Sequence, residues 1–561
     1  MSYVDAWFDR DNDIIKIVER NKKGEREFKD IPVRHTMYVK DPKGKHISIY
    51  GDAVTRIVCK NTKELRKEMA INSGKQQYES DINPIFVTLS ENYLNADAPK
   101  LNAAFFDIEV DFDPERGYAS PEDAFMPITA IAVHLQWMDT LVCLAVPPKT
   151  LTIEQATEQV KDFPNTMLFE KEADLLDTFL DLIQDADILT GWNSEGFDIP
   201  YTVNRVIKAL SKEDTRRFCL WDLFPKKREY EKFGRQALTY DLVGRVHVDY
   251  LELYRKYTYE ERHSYRLDAI AEYELGERKT QYEGTLDQLY NNDFKTFIEY
   301  NRQDCALLDR LDKKLKFLDL ANTLAHENTV LIQTTMGAVA VTEQAIINEA
   351  HRRGFVVPNR TKMSEREDSA AAGAYVAYPK EGIHDWVGSL DINSLYPSVI
   401  RALNMGPETI VGQLRQDYTK EEIEAKIAKG NSFAAAWEGK FGTDEYEAVM
   451  NQEIGTDITI DWEDGSSDVL SAAEVYRLIF ESNQPWVLSA NGTIFTYEKE
   501  GIIPGLLKRW YAERKEMQAK LKEAINAGNK IEEEYWDKRQ LVKKINLNSL
   551  YGAILNPGCR F

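Results

Sequence analysis

The chain has 561 residues, 71 Lys+Arg against 93 Asp+Glu and a formal charge of −22, a length that corresponds to roughly three to five domains. With 43 % hydrophobic and 29 % charged residues it can build sizeable cores, which excludes wholesale disorder. No run approaches the ~18 uninterrupted apolar residues of a membrane helix, and MSYVDAWFDRDND lacks the blocks of a signal peptide, so a soluble, cytoplasmic protein is expected.

Residues 1–100 read as short strands and loops, with turn signals at Asp41-Pro42-Lys43-Gly44 and Asn83-Pro84. Ala103 to Val110 (AAFFDIEV) is an apolar strand, followed by strand-like runs at 127–136 and 140–146. Leu175, Leu176, Phe179, Leu180 and Ile183 carry helical spacing within 172–185. A strand at 187–190 and a helix around 199–210 follow, so the segment is a mixed α/β domain. Residues 292–317 are strongly helical and 318–352 are α-rich. Strand-like 386–392 (WVGSLDI) runs into SLYPSVI, where Pro397 suits the first turn of a helix. The stretch 408–483 is acidic and loop-rich, without an assignable role. Helices at about 504–526 and 531–551 flank the turn Asn526-Ala527-Gly528-Asn529, an αα-hairpin. Residues 501–561 hold 12 Lys/Arg and 7 Asp/Glu, net +5, against net −27 for the first 500. An acidic total argues against coating nucleic acid with the whole surface but leaves a local basic groove open. Five scattered cysteines without a C-x-x-C pair make a zinc site or disulfide framework improbable.

Three short patterns carry chemistry. In Phe106-Asp107-Ile108-Glu109-Val110 the carboxylates are two apart, so a strand points both to one face. A solvated face is the commoner cause of such alternation, but the apolar residues before it imply a central strand, where adjacent carboxylates call for a divalent cation. In Gly191-Trp192-Asn193-Ser194-Glu195-Gly196-Phe197-Asp198-Ile199-Pro200-Tyr201, Asp198 could equally be a helix N-cap. Tyr300 and Asp304 share a helix face at i, i+4, which chance also produces. In this order the three resemble the DEDDy-type 3′–5′ exonucleases of RNase H-like fold. The resemblance implies that Asp107, Glu109, Asp198 and Asp304 hold two Mg²⁺ ions about 4 Å apart, one activating water and one stabilising the leaving 3′ oxygen. Tyr300 would orient that water, and Asn193 and Phe197 would place the terminal nucleotides.

Ser389-Leu390-Asp391-Ile392-Asn393-Ser394-Leu395-Tyr396-Pro397-Ser398 is similar to motif A of family B DNA polymerases. By itself it also reads as a helix-start acid with a core tyrosine. The resemblance gives Asp391 both catalytic metals, and gives Leu395 and Tyr396 the substrate side, the Tyr under the sugar. Ala372-Gly373-Ala374-Tyr375-Val376 is a looser match to the family's template-strand segment. Lys543-Lys544-Ile545-Asn546-Leu547-Asn548-Ser549-Leu550-Tyr551-Gly552 resembles motif B. Lys544, Asn548 and Tyr551, at i, i+4, i+7, share a face, so that Lys544 would reach the triphosphate while Asn548 and Tyr551 line the nascent base pair. The bland alternative is a solvated basic stripe. Arg514 resembles the triphosphate-binding arginine; Gln518 stands where a Lys is expected, with Lys515 or Lys520 as substitutes. FFDIEV, GWNSEGFDIPY, SLDINSLYPSVI and KKINLNSLYG together are most similar to the replicative polymerases of T-even-type bacteriophages, relative to which 408–483 reads as an expansion.

The sequence contains no motif C (Y-G-D-T-D-S); Gly442-Thr443-Asp444 and Gly455-Thr456-Asp457 each offer one acid and precede motif B. The resemblance therefore implies a multidomain α/β chain. It comprises an N-terminal β-rich domain (1–100, with 318–361 returning to it), an RNase H-like exonuclease domain (101–317), a partial palm (362–483) and fingers (484–561). Its expected function is the N-terminal part of a DNA-directed DNA polymerase with a complete proofreading exonuclease. Expected partners are single-stranded and primer-template DNA, dNTPs, a C-terminal polypeptide carrying motif C and the thumb, and a sliding clamp bound through that polypeptide. The alternatives are a stand-alone exonuclease and a nucleic-acid-binding regulator with a vestigial palm.

Overall fold

Ala103–Val110 forms the strand its apolar pattern predicts and lies inside a six-stranded mixed sheet. The computed structural model describes residues 2–232, 235–258, 260–361, 378–392, 394–415, 420–429 and 443–561. They fall into two compact units, Met1–Pro32 with Glu91–Met336 and Val33–Ser90 with Gly337–Phe561. In the first unit the strand order is Thr166–Leu168, Thr140–Ala145, Ile128–Leu135, Ala103–Val110, Ile188–Thr190, Val246–His247. Ala103–Val110 pairs antiparallel with Ile128–Leu135 and parallel with Ile188–Thr190. Three successive strands form the antiparallel half, and helical crossovers build the parallel half.

Both faces of this sheet are covered, which is why Phe105 and Phe106 can follow one another. Phe106 packs 5.7 Å from Phe179 of the helix Glu172–Leu182, and Phe105 lies 6.2 Å from Tyr250. Leu175, Leu176, Phe179 and Leu180 are all buried, the stripe that their spacing predicts. Each such side chain stabilises the fold by about 1.5–3 kcal/mol. The helix Phe294–Leu315 buries Phe297, Ile298, Cys305, Leu308 and Leu311, with Asn301 and Asp304 in the same buried stripe.

The register of the two parallel strands is fixed at their starts. Asp187 is 1 % exposed; its carboxylate accepts the Asn102 N–H at 2.9 Å and two of the Arg20 nitrogens, Nε at 2.8 Å and an Nη at 2.9 Å. Removing one partner of such a buried pair leaves an uncompensated charge, at about 3–5 kcal/mol. Arg20→Met is therefore expected to lower unfolding stability by about 3 kcal/mol, since Arg26 at 3.2 Å retains one contact to Asp187. Urea unfolding with an unchanged m-value is the measurement; no loss would mean that strand pairing alone sets the register.

In the second unit, His35–Lys40, His46–Ser48, Ala53–Cys59, Gln77–Tyr78 and Phe355–Val356 make one five-stranded sheet. The region expected to be only strands and loops also contains the helices Thr62–Ile71 and Pro84–Tyr93. Thr62–Ile71 buries no residue, so apolar periodicity could not announce it; the Asn61 side chain caps it through the Glu64 N–H at 2.8 Å.

Two expectations are corrected. The stretch expected to be loop-rich contributes to a five-stranded sheet in the order Ser467–Ser471, Asp457–Trp462, Ile410–Arg415, Thr493–Thr496, Trp486–Leu488. Leu414, Val449, Ile458, Ile460, Val475 and Ile494 form its core. Alternating Ile458, Ile460 and Trp462 before Asp464-Gly465 carried the hairpin signal, with Gly465 at φ +86°. Conversely, 386–392 is not a strand. Trp386 and Leu390 are fully exposed, because no strand among the described residues lies beside them to form a ladder. The helix Leu395–Ala402 follows, with Pro397 in its first turn. Ala372–Val376 lies outside the described residues, as do Asn393 and Gly442. The final hairpin forms as expected, Ile502–Ala527 and Lys530–Ile554. Gly528 ends the first helix at φ +65°, and the Asn529 side chain starts the second. Among the described residues no helix is long and apolar enough to cross a membrane.

Candidate functional site

Asp107 and Glu109 leave the same face of their strand, opposite Ala132 and Ala130 of the neighbouring strand. Small partners on that side leave room above the carboxylates. Asp304 reaches them from the helix Phe294–Leu315, so that one oxygen from each of Asp107, Glu109 and Asp304 lies within 4.8 Å of the others. Asp198 opens the helix Asp198–Ala209, but Phe197 is the cap residue and no side chain caps the helix. Instead Asp198 Oδ1 accepts the Ile108 N–H at 3.2 Å, which brings its carboxylate to the strand segment between Asp107 and Glu109. Tyr300 stands one turn before Asp304.

Asn193 and Phe197 belong to the turn that delivers Asp198. Asn193 is exposed at φ +61°, and its N–H donates to Asp249 at 2.9 Å; Phe197 is half-buried, 5.2 Å from Tyr201. A side chain at Gly191 would come within 2.7 Å of the Phe106 carbonyl oxygen, so glycine is required for the turn to approach the central strand.

The cluster is short of positive charge. Burial, followed by repulsion from Asp304, Glu109 and Asp198, pushes the Asp107 carboxyl well above its ordinary value. Burial and Asp304 push Glu109 up to about 8; burial lifts Asp198 to about 7 and Asp304 to about 6. Among the described residues Asp304 Oδ1 is buried without a hydrogen-bond partner. An all-oxygen donor set with an unmet acceptor fits a hard divalent cation such as Mg²⁺.

Two residues that the motif reading passed over complete the cluster. Lys279 donates to Asp304 Oδ2 and, at 3.2 Å, to the Tyr300 hydroxyl. Burial lowers its pKa, but Asp304, Tyr300 and Asp107 more than reverse this and hold the ammonium charged. Asn301, fully buried, donates from Nδ2 to the Asp107 backbone oxygen at 3.2 Å and to Oδ2 at 3.1 Å. Asn301 lies between Tyr300 and Asp304 in sequence; Lys279, in Glu277-Arg278-Lys279-Thr280, had no pattern to mark it. A cavity of about 470 Å³ opens over these groups, lined by Asp107, Trp192, Lys279, Tyr282 and Tyr300.

A cation bound at this cluster would have Lys279 as its competitor for the Asp304 carboxylate. Lys279→Met is expected to lower the Mg²⁺ concentration needed for half-maximal nuclease activity while reducing the maximal rate about tenfold, since a charge facing the reacting phosphate is lost. A magnesium titration of the rate reads both; an unchanged half-saturation point would show that Lys279 does not occupy the cation's place.

The polymerase-like residues lie in the second unit. Asp391 is in the exposed stretch before Leu395–Ala402. Leu395 and Tyr396 begin that helix, and the Tyr396 ring stacks on Tyr551 with centroids 3.9 Å apart and planes 5° apart. The two motifs thus meet through their tyrosines. On the second hairpin helix Asn548 is exposed and Lys544 half-buried, while Lys543 turns inward to Glu513 at 2.7 Å. Arg514 Nε is 3.4 Å from Gln540 Oε1. Of the substitutes for a lysine at 518, Lys520 pairs with Glu516 at 2.7 Å and covers Trp536, whereas Lys515 lies over Tyr511.

Comparison with known proteins agrees with both halves. Residues 330–555 match the model of DNA polymerase family B, and residues 56–270 that of the DNA polymerase family B exonuclease domain. Asp107, Glu109 and Asp198 fall within the second match, and Asp391, Tyr396, Arg514, Lys544, Asn548 and Tyr551 within the first. The chain is 25 % identical over 576 residues to the DNA-directed DNA polymerase of Escherichia phage RB69, covering 96 % of this chain and 61 % of that protein. It is 25 % identical over 414 residues to that of Enterobacteria phage T4, covering 73 % and 45 %. It is also 29 % identical over 284 residues to the DNA polymerase delta catalytic subunit of Drosophila melanogaster, covering 47 % and 26 %. The chain therefore spans less than two thirds of the length of these relatives.

Proposed function

The chain belongs to DNA polymerase family B, and we propose that it is the N-terminal part of a replicative DNA-directed DNA polymerase. In this reading it carries a complete 3′–5′ proofreading exonuclease of RNase H-like fold, while a second polypeptide supplies motif C and the thumb. The observation that carries the nuclease half is the convergence of Asp107, Glu109 and Asp304 on one point, beside an acceptor on Asp304 that no described residue satisfies.

Asp107, Glu109, Asp198 and Asp304 would hold the Mg²⁺ ions. Such ions, when bound, supply a water nucleophile at neutral pH and charge for the leaving 3′ oxygen. Tyr300, held by Lys279, orients the water through its hydroxyl. Lys279 presents positive charge to the phosphate, and Asn301 fixes the Asp107 carboxylate. Asn193 and Phe197 place the terminal nucleotides, and the aromatic walls Trp192 and Tyr282 offer faces to unstacked bases of a single strand. The decisive test is Mg²⁺-dependent shortening of a 5′-labelled single-stranded oligonucleotide from its 3′ end. Cleavage that ignores EDTA, or that begins at the 5′ end, would overturn the assignment.

The polymerase half is supported by the Tyr396–Tyr551 stack and the exposed Asp391. Asp391 would bind both polymerase metals, Tyr396 and Leu395 would contact the nucleotide, and Arg514 and Lys544 would hold its triphosphate. Asn548 and Tyr551 would line the base pair on primer-template DNA. Clamp contact would come through the second polypeptide, in the cytoplasm of the host cell. The exposure of 386–392 equally fits a stand-alone exonuclease or a nucleic-acid-binding regulator with a vestigial palm, which predicts no stimulation by a polypeptide bearing motif C.

A further inference from the structure

Arg266 stands at the nuclease cavity, and the exonuclease motifs give it no part. It lines the same space of about 470 Å³ as Asp107, Lys279 and Tyr300. It is exposed and directly precedes the helix Leu267–Leu275. The neighbouring arginines are spent on carboxylates: Arg255 on Glu252 at 3.1 Å, Arg262 on Glu260 at 2.9 Å, and Arg278 on Glu272. Among the described residues Arg266 is the one of these four without an ion pair.

The backbone at this position is tied on both sides to the site. The Trp192 indole N–H donates to the Tyr265 carbonyl at 3.0 Å, which joins the preceding residue to the turn that delivers Asp198. The Asp268 carboxylate accepts the Lys279 N–H at 2.8 Å, which joins the residue two places on to the segment that carries Lys279. The ordinary explanation is a solvated surface arginine, the usual state of this side chain. It accounts for the exposure. It does not account for a cation left unpaired where its neighbours are neutralised, on backbone fixed to both walls of a cavity. Compensation of the buried carboxylates is no better an account, because Lys279 supplies it by donating to Asp304. A guanidinium presents a planar fork of N–H donors that matches phosphate oxygens bidentately. With no carboxylate to satisfy, Arg266 keeps that fork open to a phosphate from solution.

Resting on the exonuclease reading, we propose that Arg266 binds the first phosphate beyond the scissile one, the phosphodiester on the 5′ side of the penultimate nucleotide. The scissile phosphate falls to the carboxylate cluster and Lys279. A single strand lying along the cavity carries its next phosphate away from that cluster, and Arg266 is the lining cation not already committed to a carboxylate. Its ligand is therefore the pair of non-bridging oxygens of an internal phosphodiester. Its contribution is to strand binding and register, not to bond cleavage. The site should accordingly favour strands with two phosphodiesters at the 3′ end over a substrate with the scissile one alone.

The test compares the full chain with Arg266→Gln and Arg266→Lys. On a single-stranded oligonucleotide with Mg²⁺, Arg266→Gln is expected to raise KM about tenfold, the loss of one charge-assisted contact, with kcat nearly unchanged. Arg266→Lys should recover part of the loss. The slope of log KM against log salt should fall by about 0.7 in Arg266→Gln, since one phosphate contact on a single strand is gone. A methylphosphonate placed 5′ to the penultimate nucleotide removes the same charge from the other side and needs no variant to fold. It should raise the wild-type KM by a similar factor and add nothing in Arg266→Gln. Binding of 5′-fluorescein-labelled trithymidylate in EDTA reads the contact without metal or turnover, and should weaken by the same factor in the variant. An unchanged KM and salt slope, a methylphosphonate penalty that persists in the variant, or a loss confined to kcat would each overturn the proposal while 3′–5′ cleavage by the wild-type chain leaves the exonuclease reading standing. No such cleavage by the wild-type chain would overturn both.

Discussion

Asp107→Ala combined with Glu109→Ala is expected to reduce 3′–5′ degradation of single-stranded DNA by about 10⁴-fold, a barrier increase of ~5.5 kcal/mol. The size follows from geometry. The two side chains share a strand face and contribute two of the three oxygens that converge within 4.8 Å, so the double variant leaves Asp304 and Asp198 without an opposing carboxylate. A single-strand digestion assay under saturating Mg²⁺ measures the effect; digestion at the wild-type rate would show that the carboxylates are not the catalytic ones.

The same variant should be more stable, not less, when metal is withheld. Burial and mutual repulsion hold both carboxyls above their ordinary range, so at neutral pH their ionisation works against the fold. Structural carboxylates removed from a core leave unsatisfied partners and lower Tm. Functional ones crowded for a cation raise Tm when deleted, the usual trade of stability for activity. Melting curves in EDTA therefore separate the two roles independently of any nuclease assay. In wild type, Mg²⁺ should raise Tm; in the variant that increment should largely vanish.

How much of this was legible before the structure depended on where each signal sits. The central strand could be read because eight apolar or carboxylate residues in a row have no helical solution and are bounded on both sides. The helix Glu172–Leu182 could be read because its buried stripe repeats at helical spacing. Thr62–Ile71 could not, since it buries nothing and only its cap betrays it. The sheet built around Ile458 and Ile460 was masked by its acidic surface, although Asp464-Gly465 marked its turn. The strand expected at 386–392 failed for the opposite reason: its pattern is correct, but a pattern cannot supply the neighbour that a ladder needs. At the site, spacing by itself marked only Asp107 and Glu109, whereas Asp198 and Asp304 entered through the family resemblance. Lys279 had neither signal, because a loop lysine becomes informative only when three dimensions bring it to Asp304 and Tyr300.

The chain alone is expected to leave a primer unextended, and a polypeptide carrying motif C and the thumb is expected to restore synthesis. In that mixture Asp391→Ala should abolish extension by about 10⁴-fold or more, again ~5.5 kcal/mol, while 3′–5′ degradation continues at the wild-type rate. The separation is expected because Asp391 belongs to the unit Val33–Ser90 with Gly337–Phe561, whereas Asp107, Glu109, Asp198 and Asp304, the proposed nuclease carboxylates, belong to the other. On the proposed reading, the stretch from Trp386 to Ile392 is where the second polypeptide would add. Trp386, Leu390 and Ile392 are 102 %, 100 % and 66 % exposed, an apolar run with the alternation of a strand and no strand beside it among the described residues. Phosphoryl transfer with two metals needs carboxylates on both sides of them, and Asp391 stands at the end of this unpaired run. A strand added alongside would bury its apolar side chains and carry the second aspartate to the first, so that assembly and catalysis have one cause. Hydrogen exchange across 386–392 should then slow when the second polypeptide is added and nucleotide is absent. Robust synthesis by the chain alone, or unchanged exchange in an active mixture, would sink this account of how the polymerase site is completed.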